Sequence, residues 1–319
     1  MGDGLCCTDV HLLGPVSKTE AEAIQKIDPQ AIVRFVGLRL LSTAGGQCGF
    51  LGDDGRCGIY EHDEGRTKPR TCHRYPYLLV ATPDGGRVGT DHRCPCRSLG
   101  DRPLLTPEAA EDPLSSAKGR LTVDRRIGAR IAITPKQRVG WKKYLSIETP
   151  ILEALEAGGR AEDALGVQPF PELSDMSWEQ IATDLALDMP PTKWGWAQRT
   201  FSVFLAARFV GSPANAAYRP WTTIFDRAEA RTKIPGDPEA MLRDFAADAI
   251  WSLEWAWRGS FLHARVEIAS RIAIIRDMAK HFVQHGARPD RAMAEALSIG
   301  EIAGVSDSWS VVVDRMILS

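Results

Sequence analysis

Every cysteine in the chain lies between Cys6 and Cys96, and every tryptophan lies between Trp141 and Trp309. Seven cysteines and nine tryptophans are thus sorted into opposite parts of a 319-residue chain. That sorting constrains the fold more than any average does. Large aromatic side chains fill a conventional core. A short, turn-rich segment makes little core of its own, and thiolate–metal bonds can supply its folding energy instead. Two units are expected: a cysteine-cluster, metal-binding domain over residues 1–115 and an α-helical domain over residues 116–319. The fold class expected is α+β, mostly α, with short hairpins ahead of the helices.

Composition excludes several classes. Hydrophobic residues make up 44% and charged residues 25%, with a formal net charge of −2, so no bulk attraction to nucleic acid is expected. No apolar run is long enough to span a membrane. The start, MGDGLCCTDVHLLG, lacks the basic and apolar regions of a secretory signal, and Cys6 stands where a myristoylation motif needs Ser or Thr. A cytoplasmic location without membrane contact is the expectation.

Local signals place the elements. Ser17 and Glu20 form a capping box, opening a helix to about Asp28. Ile32 to Leu41 reads as a strand or a short helix. Gly52-Asp53-Asp54-Gly55 is a turn between short apolar pieces, which predicts a β-hairpin with Cys48 and Cys57 on opposite arms, nearly facing each other. A second hairpin is expected around Pro83-Asp84-Gly85-Gly86. Residues 99–140 read as a connector with one brief helix after Thr106-Pro107. The longest helix is expected from Pro238 to about Gln284, because Ile250, Leu253, Trp257, Phe261, Ala264, Ile268 and Ile272 advance by three or four. Gly259 marks where it kinks or splits. Glu254/Arg258 and Glu267/Arg271 are spaced as i,i+4 ion pairs.

Three chemistries can explain the cysteines Cys6, Cys7, Cys48, Cys57, Cys72, Cys94 and Cys96. Disulfides need an oxidising compartment, and the count is odd. Scattered buried thiols behave as small hydrophobes, but that does not explain Cys-Cys, a cysteine on each side of a turn, and Cys-Pro-Cys within one hundred residues. Ligation of zinc or iron by soft thiolates explains all three. His73 and His92 adjoin these positions, and Arg70, Arg74 and Tyr75 are placed to donate to sulfur or pack around it.

The succession Cys-Cys, Cys-Gly-Phe-Leu, Asp-Gly-Arg-Cys-Gly-Ile-Tyr-Glu, Lys-Pro-Arg-Thr-Cys-His-Arg-Tyr-Pro and Cys-Pro-Cys resembles the YkgJ-type cysteine-cluster family. That family comprises zinc- or iron-chelating proteins and includes the flagellin lysine-N-methylases. The resemblance covers residues 1–100; the helical remainder is similar in outline only. It implies Cys6, Cys7, Cys48, Cys57, Cys72, Cys94 and Cys96 as ligands of an iron–sulfur cluster of the 4Fe–4S type, with zinc as the alternative. Either centre takes four ligands and leaves spares. The methylase branch further implies a protein lysine N-methyltransferase, with S-adenosylmethionine as methyl donor and a protein as substrate. Two departures are visible: no Cys-x-x-Cys precedes the double cysteine, and Glu61 to Lys68 lengthens a loop. The alternative from another class is a non-enzymatic, zinc-stabilised module that binds a partner.

No Walker loop, dinucleotide fingerprint, Gly-x-Ser-x-Gly or His-Glu-x-x-His occurs, nor does the three-cysteine loop of radical S-adenosylmethionine enzymes. Methyl transfer therefore rests on the resemblance alone. Residues 120–143 hold Arg125, Arg126, Arg130, Lys136, Arg138, Lys142 and Lys143 against one acid, Asp124. They read as a solvated connector, with docking of an acidic partner as the sharper alternative. Trp194/Trp196 and Trp251/Trp255/Trp257 read as core.

Overall fold

The computed structural model describes residues 4–8, 13–64, 66–100, 105–116, 119–187, 192–214 and 217–318, without the side chains of Asp63 and Cys96. The architecture is mixed α+β and mostly helical.

A short 3₁₀ turn over Leu5–Cys7 leads to α1 (Lys18–Ile27), where Ser17 accepts from the Glu20 amide and Glu20 from the Ser17 amide. The stretch that left strand and helix open is a hairpin, β1 (Ile32–Phe35) against β2 (Leu38–Leu41), turned by Val36 and Gly37 with φ of 45° and 78°. A second, two-residue turn at Gly45-Gly46 pairs β3 (Thr43–Ala44) with β4 (Gln47–Cys48). Then α2 (Gly58–Asp63) and α3 (Arg70–Arg74) follow.

The expected hairpin joining Cys48 to Cys57 is corrected here. Cys48 pairs with Thr43 in β3–β4, whereas Cys57 makes a single bridge with Leu51. The Gly52–Gly55 signal does turn the chain, with the Gly55 amide donating to the Gly52 carbonyl at 2.9 Å. It closes a loop too short for a ladder, because the chain enters α2 directly after Cys57.

A three-stranded sheet comes next. Strand β5 (Tyr77–Thr82) pairs antiparallel with β6 (Gly85–Thr90), the second expected hairpin. Helices α4 (Pro95–Ser98) and α5 (Pro107–Leu114, capped by Thr106) follow. Strand β7 (Arg125–Arg126) then joins the other edge of β5 in parallel, giving the order β6–β5–β7. The supposed connector also holds a hairpin, β8 (Arg130–Thr134) with β9 (Gln137–Gly140). Its alternation of Arg130, Ala132 and Thr134 with Ile131 and Ile133 is a strand period, which the Pro- and Arg-rich composition obscured.

Helices complete the body: α6 (Trp141–Ala157), α7 (Ala161–Leu165), α8 (Trp178–Leu187), α9 (Lys193–Phe209), α10 (Thr222–Arg231), α11 (Pro238–Trp251), α12 (Phe261–Gln284), α13 (Pro289–Gly304) and α14 (Asp307–Arg315). The long apolar periodicity is therefore two helices. Leu253 takes a left-handed φ of 55°, a 3₁₀ turn covers Glu254–Trp257, and Ser260 caps α12 by accepting from His263. That break separates the expected Glu254/Arg258 pair: Arg258 donates to the Gly304 carbonyl and Glu254 meets Arg125. Glu267 and Arg271 do pair, buried within α12. Helices α12 and α13 pack closely at the centre, where a Cβ on Gly300 would stand 2.5 Å from Ile275 Cδ1.

The cores divide in an informative way. Leu13, Val16, Ala21, Ile24, Ala31, Leu41, Cys48 and Ile59 form a small core around the cysteines. Leu5, Val80 and Leu99, all ahead of residue 115, are buried in the large helical core. The sheet is further tied to the helices by Trp251 Nε1, which donates to the Val88 carbonyl at 3.1 Å. The 52–55 turn rests on α10, whose Arg231 donates to the Asp54 carbonyl at 2.9 Å. Among the described residues no helix is long and apolar enough to cross a membrane.

Candidate metal centre and the adjoining cavity

Five of the seven predicted ligands come together. Cys6, Cys7, Cys48, Cys57 and Cys72 line one cavity of about 20 Å³, closed by Leu13, Leu41, Ile59, Lys68, Pro69 and Tyr75. The five thiols arrive on four supports. Leu5, fully buried in the helical core, anchors the turn that presents Cys6 and Cys7. Thr8 continues this segment by bridging to Gln47, next to Cys48 in β4. Cys57 stands at the head of α2, and Cys72 lies within α3. The sulfurs of Cys6 and Cys7 are 3.9 Å apart.

The thiols are electrostatically unequal. A hydrogen bond from Cys7 holds Cys57 down at about 6, against the opposing effect of burial and with help from the Tyr60 and Ile59 amides and the Lys68 ammonium. The same bond, one with Cys6, and burial push Cys7 up. Burial raises Cys48, and it pushes Cys72 up to about 12. The arrangement favours ionisation at Cys57 and opposes it at Cys7, Cys48 and Cys72. Consistent with that, no group of three or more His, Cys, Asp or Glu side chains among the described residues stands at metal-holding spacing. Hydrogen-bonded thiols and metal-bound thiolates need different separations, since ligation requires each sulfur to lose its proton. The donor chemistry nevertheless suits a soft metal: five sulfurs, no carboxylate among them and one lysine to offset charge.

Cys94 is buried and disulfide-bonded, and it does not line this cavity. The side chain of Cys96 lies outside the described ones. His73 and His92 are not in the cavity wall either. Of the three expected donors, only Tyr75 lines it. Arg70 instead reaches the Pro113 carbonyl at 3.1 Å, while its amide donates to Glu20. Arg74 grips Asp124 and the Thr122 carbonyl. The guanidinium groups thus fasten α3 to α5, through Arg70, and to the chain just ahead of β7, through Arg74, rather than serve the sulfurs.

A second, larger cavity of about 340 Å³ lies between the end of β6 and helices α11, α12 and α13. Asp248 on α11 accepts from Thr90 Oγ1 at 2.6 Å and pairs with His92 Nε2 at 2.9 Å. Burial works to raise Asp248, but the His92 and Thr90 hydrogen bonds and Arg97 outweigh it and hold the carboxyl low. An ionised Asp248 can only accept, so His92 Nε2 is the donor of this pair. His92 is 2% exposed, and its Nδ1 has no partner among the described residues. On the opposite wall Arg271 bridges Glu267 and Glu301, at 2.5 Å and 3.2 Å. Burial raises Glu301 against the pull of Arg271. Trp255, Trp257, Ser260 and His263 complete the rim.

The two cavities are neighbours. Tyr75 lines the thiol cavity, and its phenol is raised by burial and by the field of Asp91, a wall residue of the larger one. No family model matches the chain, and no curated protein or solved structure does.

Sequence reasoning noted His92 only as a neighbour of the candidate cysteine ligands and did not single out Asp248, His263 or Glu301. One signal could have found Asp248: it lies one turn from Phe245 on the face of α11 that carries Met241 and Phe245, where an acid is out of place unless partnered.

Proposed function

We propose that this chain is a soft-metal thiolate protein of the cysteine-cluster kind, with ligands drawn from Cys6, Cys7, Cys48, Cys57 and Cys72. The observation that carries the reading is the convergence of five thiols, from four separate supports, on one enclosed cavity. Buried thiols that serve only as small hydrophobes have no reason to meet in this way. The resemblance to the YkgJ-type family favours an iron–sulfur cluster, whose protein-side levers here are Lys68 and Tyr75 beside the sulfurs. The cavity volume favours a second reading, one zinc ion. About 20 Å³ is the room of roughly one water, which a single ion fills while a four-iron core needs the walls to move apart.

The same resemblance extends to methylation of protein lysines with S-adenosylmethionine. For that activity the 340 Å³ cavity is the place to hold a substrate side chain. Asp248 fixes the His92 ring through Nε2 and leaves Nδ1 as the ring nitrogen open to a polar group of the substrate. The metal reading is tested by metal analysis and an anaerobic spectrum of the purified chain. Iron with acid-labile sulfide supports the cluster, and one zinc in a colourless protein supports the second reading. Neither metal refutes both.

A further inference from the structure

The chain from Arg120 through β7 and the β8–β9 hairpin to the start of α6 is a basic strip of sequence. Arg120, Arg126, Arg130, Arg138, Lys142 and Lys143 are all exposed along it. The acid within the strip, Asp124, is already taken by Arg74 and the Leu79 amide. Among the described residues Arg126, Arg130, Arg138 and Lys142 form no ion pair. Like charges packed this densely repel one another, and a chain of net charge −2 gains nothing in stability from concentrating them.

The strip has a shape as well as a charge. A groove of about 510 Å³ is lined by Arg120, Arg125, Arg126, Thr122 and the exposed Leu121. Its wall is β7, the edge strand of the sheet order β6–β5–β7. An edge strand offers backbone donors and acceptors to an extended segment laid beside it. Arg125 belongs both to this groove and to the 340 Å³ cavity, and it lies 5.0 Å from the ring of Trp257 at the cavity mouth.

We propose that this strip docks an acidic polypeptide segment, which lies extended along β7 with its carboxylates on Arg120, Arg125 and Arg126 and leads past Trp257 into the cavity. The proposal names the partner of that cavity and so rests, for what the partner does there, on the reading that the cavity receives a protein side chain. Polypeptide fits better than nucleic acid. Trp257 alone at the mouth is not the series of stacking rings that single strands use, whereas the β7 edge offers the backbone pairing that an extended polypeptide can take up.

The test uses the full chain and three labelled probes in fluorescence anisotropy: a peptide of alternating Glu and Ser, which presents its carboxylates on one face when extended, a peptide of alternating Lys and Ser, and a single-stranded oligonucleotide of equal charge. The Glu–Ser peptide is expected to bind at low salt, to weaken as salt rises, and to lose at least about tenfold in affinity to Arg120→Glu/Arg126→Glu. A control reversal on α1, Lys18→Glu/Lys26→Glu, is expected to leave binding unchanged. Metal content is measured on each variant. Loss of peptide binding with metal retained isolates the docking surface, and a metal-free wild type that still binds peptide separates this proposal from the thiol reading. Oligonucleotide binding as tight as peptide binding, or a charge-reversed strip that binds the peptide within about twofold of wild type, overturns the proposal.

Discussion

Arg87 holds Glu148 through two parallel hydrogen bonds of 2.7 Å, with both side chains buried. Tyr144 adds a third donor to the same carboxylate at 2.6 Å, and the guanidinium lies 4.1 Å from the ring of Trp251. This fork fastens β6, which belongs to the cysteine-bearing part of the chain, to α6 and α11 of the helical part. Removing one partner strands the other charge, so Arg87→Ala is expected to cost about 3–5 kcal/mol. Replacing both, as Arg87→Met with Glu148→Met, is expected to recover much of that loss. Denaturant midpoints followed by tryptophan fluorescence measure both. A single variant as stable as wild type would mean that the fork carries no such weight.

If the thiol cavity holds a metal, its removal is expected to separate the parts of the chain by their cores. The small core of Leu13 to Ile59 is expected to open, with protease cutting near Glu61 to Lys68. Strands β5 and β6 are expected to stay protected, because Arg87, Thr90 and Val88 are each bonded to a helix or its end. Tryptophan fluorescence is expected to stay close to that of the loaded protein. Hydrogen exchange on stripped protein checks each region. Loss of protection in β5 and β6 together with residues 13–59 would show that the metal supports the sheet as well.

In the metal-free protein Cys57 is the reactive thiol. Its pKa falls from 9.0 to about 6, whereas that of Cys72 rises to about 12. Alkylation near neutral pH, mapped by mass spectrometry, is expected to mark Cys57 first, with its rate half-maximal at about pH 6. The two shifts act oppositely on stability. A lowered pKa contributes fully above the unfolded value near 9.0 and is lost as pH falls through about 6. The raised Cys72 contributes fully below 9.0 and is lost as pH rises toward about 12. Equal labelling of all five thiols at pH 7 would remove the basis for one preferred thiolate.

Local rules made part of this fold legible. The Ser17–Glu20 box, the hairpin around Pro83 to Gly86 and the helix after Thr106 each depend on a few neighbouring residues, and each stands where those residues place it. The partner of Cys48 was not legible. A turn signal says that the chain reverses, not which strand it then meets, and Thr43 outcompeted the far arm. The meeting of Cys6, Cys7, Cys48, Cys57 and Cys72 could be inferred from their number and flanks, whereas the exclusion of Cys94 from their cavity depends on α4 packing against α10 and α13. The larger cavity was hidden for a similar reason. Asp248, Glu267 and Glu301 lie on three helices, and their common location is set by packing over long stretches of chain.

The thiol centre is tested most directly by metal stoichiometry on anaerobically purified protein, set beside Cys48→Ser and Cys57→Ser. One soft-metal centre per chain is expected in the wild type, either iron with sulfide and absorption near about 400 nm or a single zinc. Both substitutions are expected to abolish it, since each removes a sulfur that faces the cavity. A wild-type chain that folds and binds neither metal, or serine variants that keep full metal content, would contradict the account.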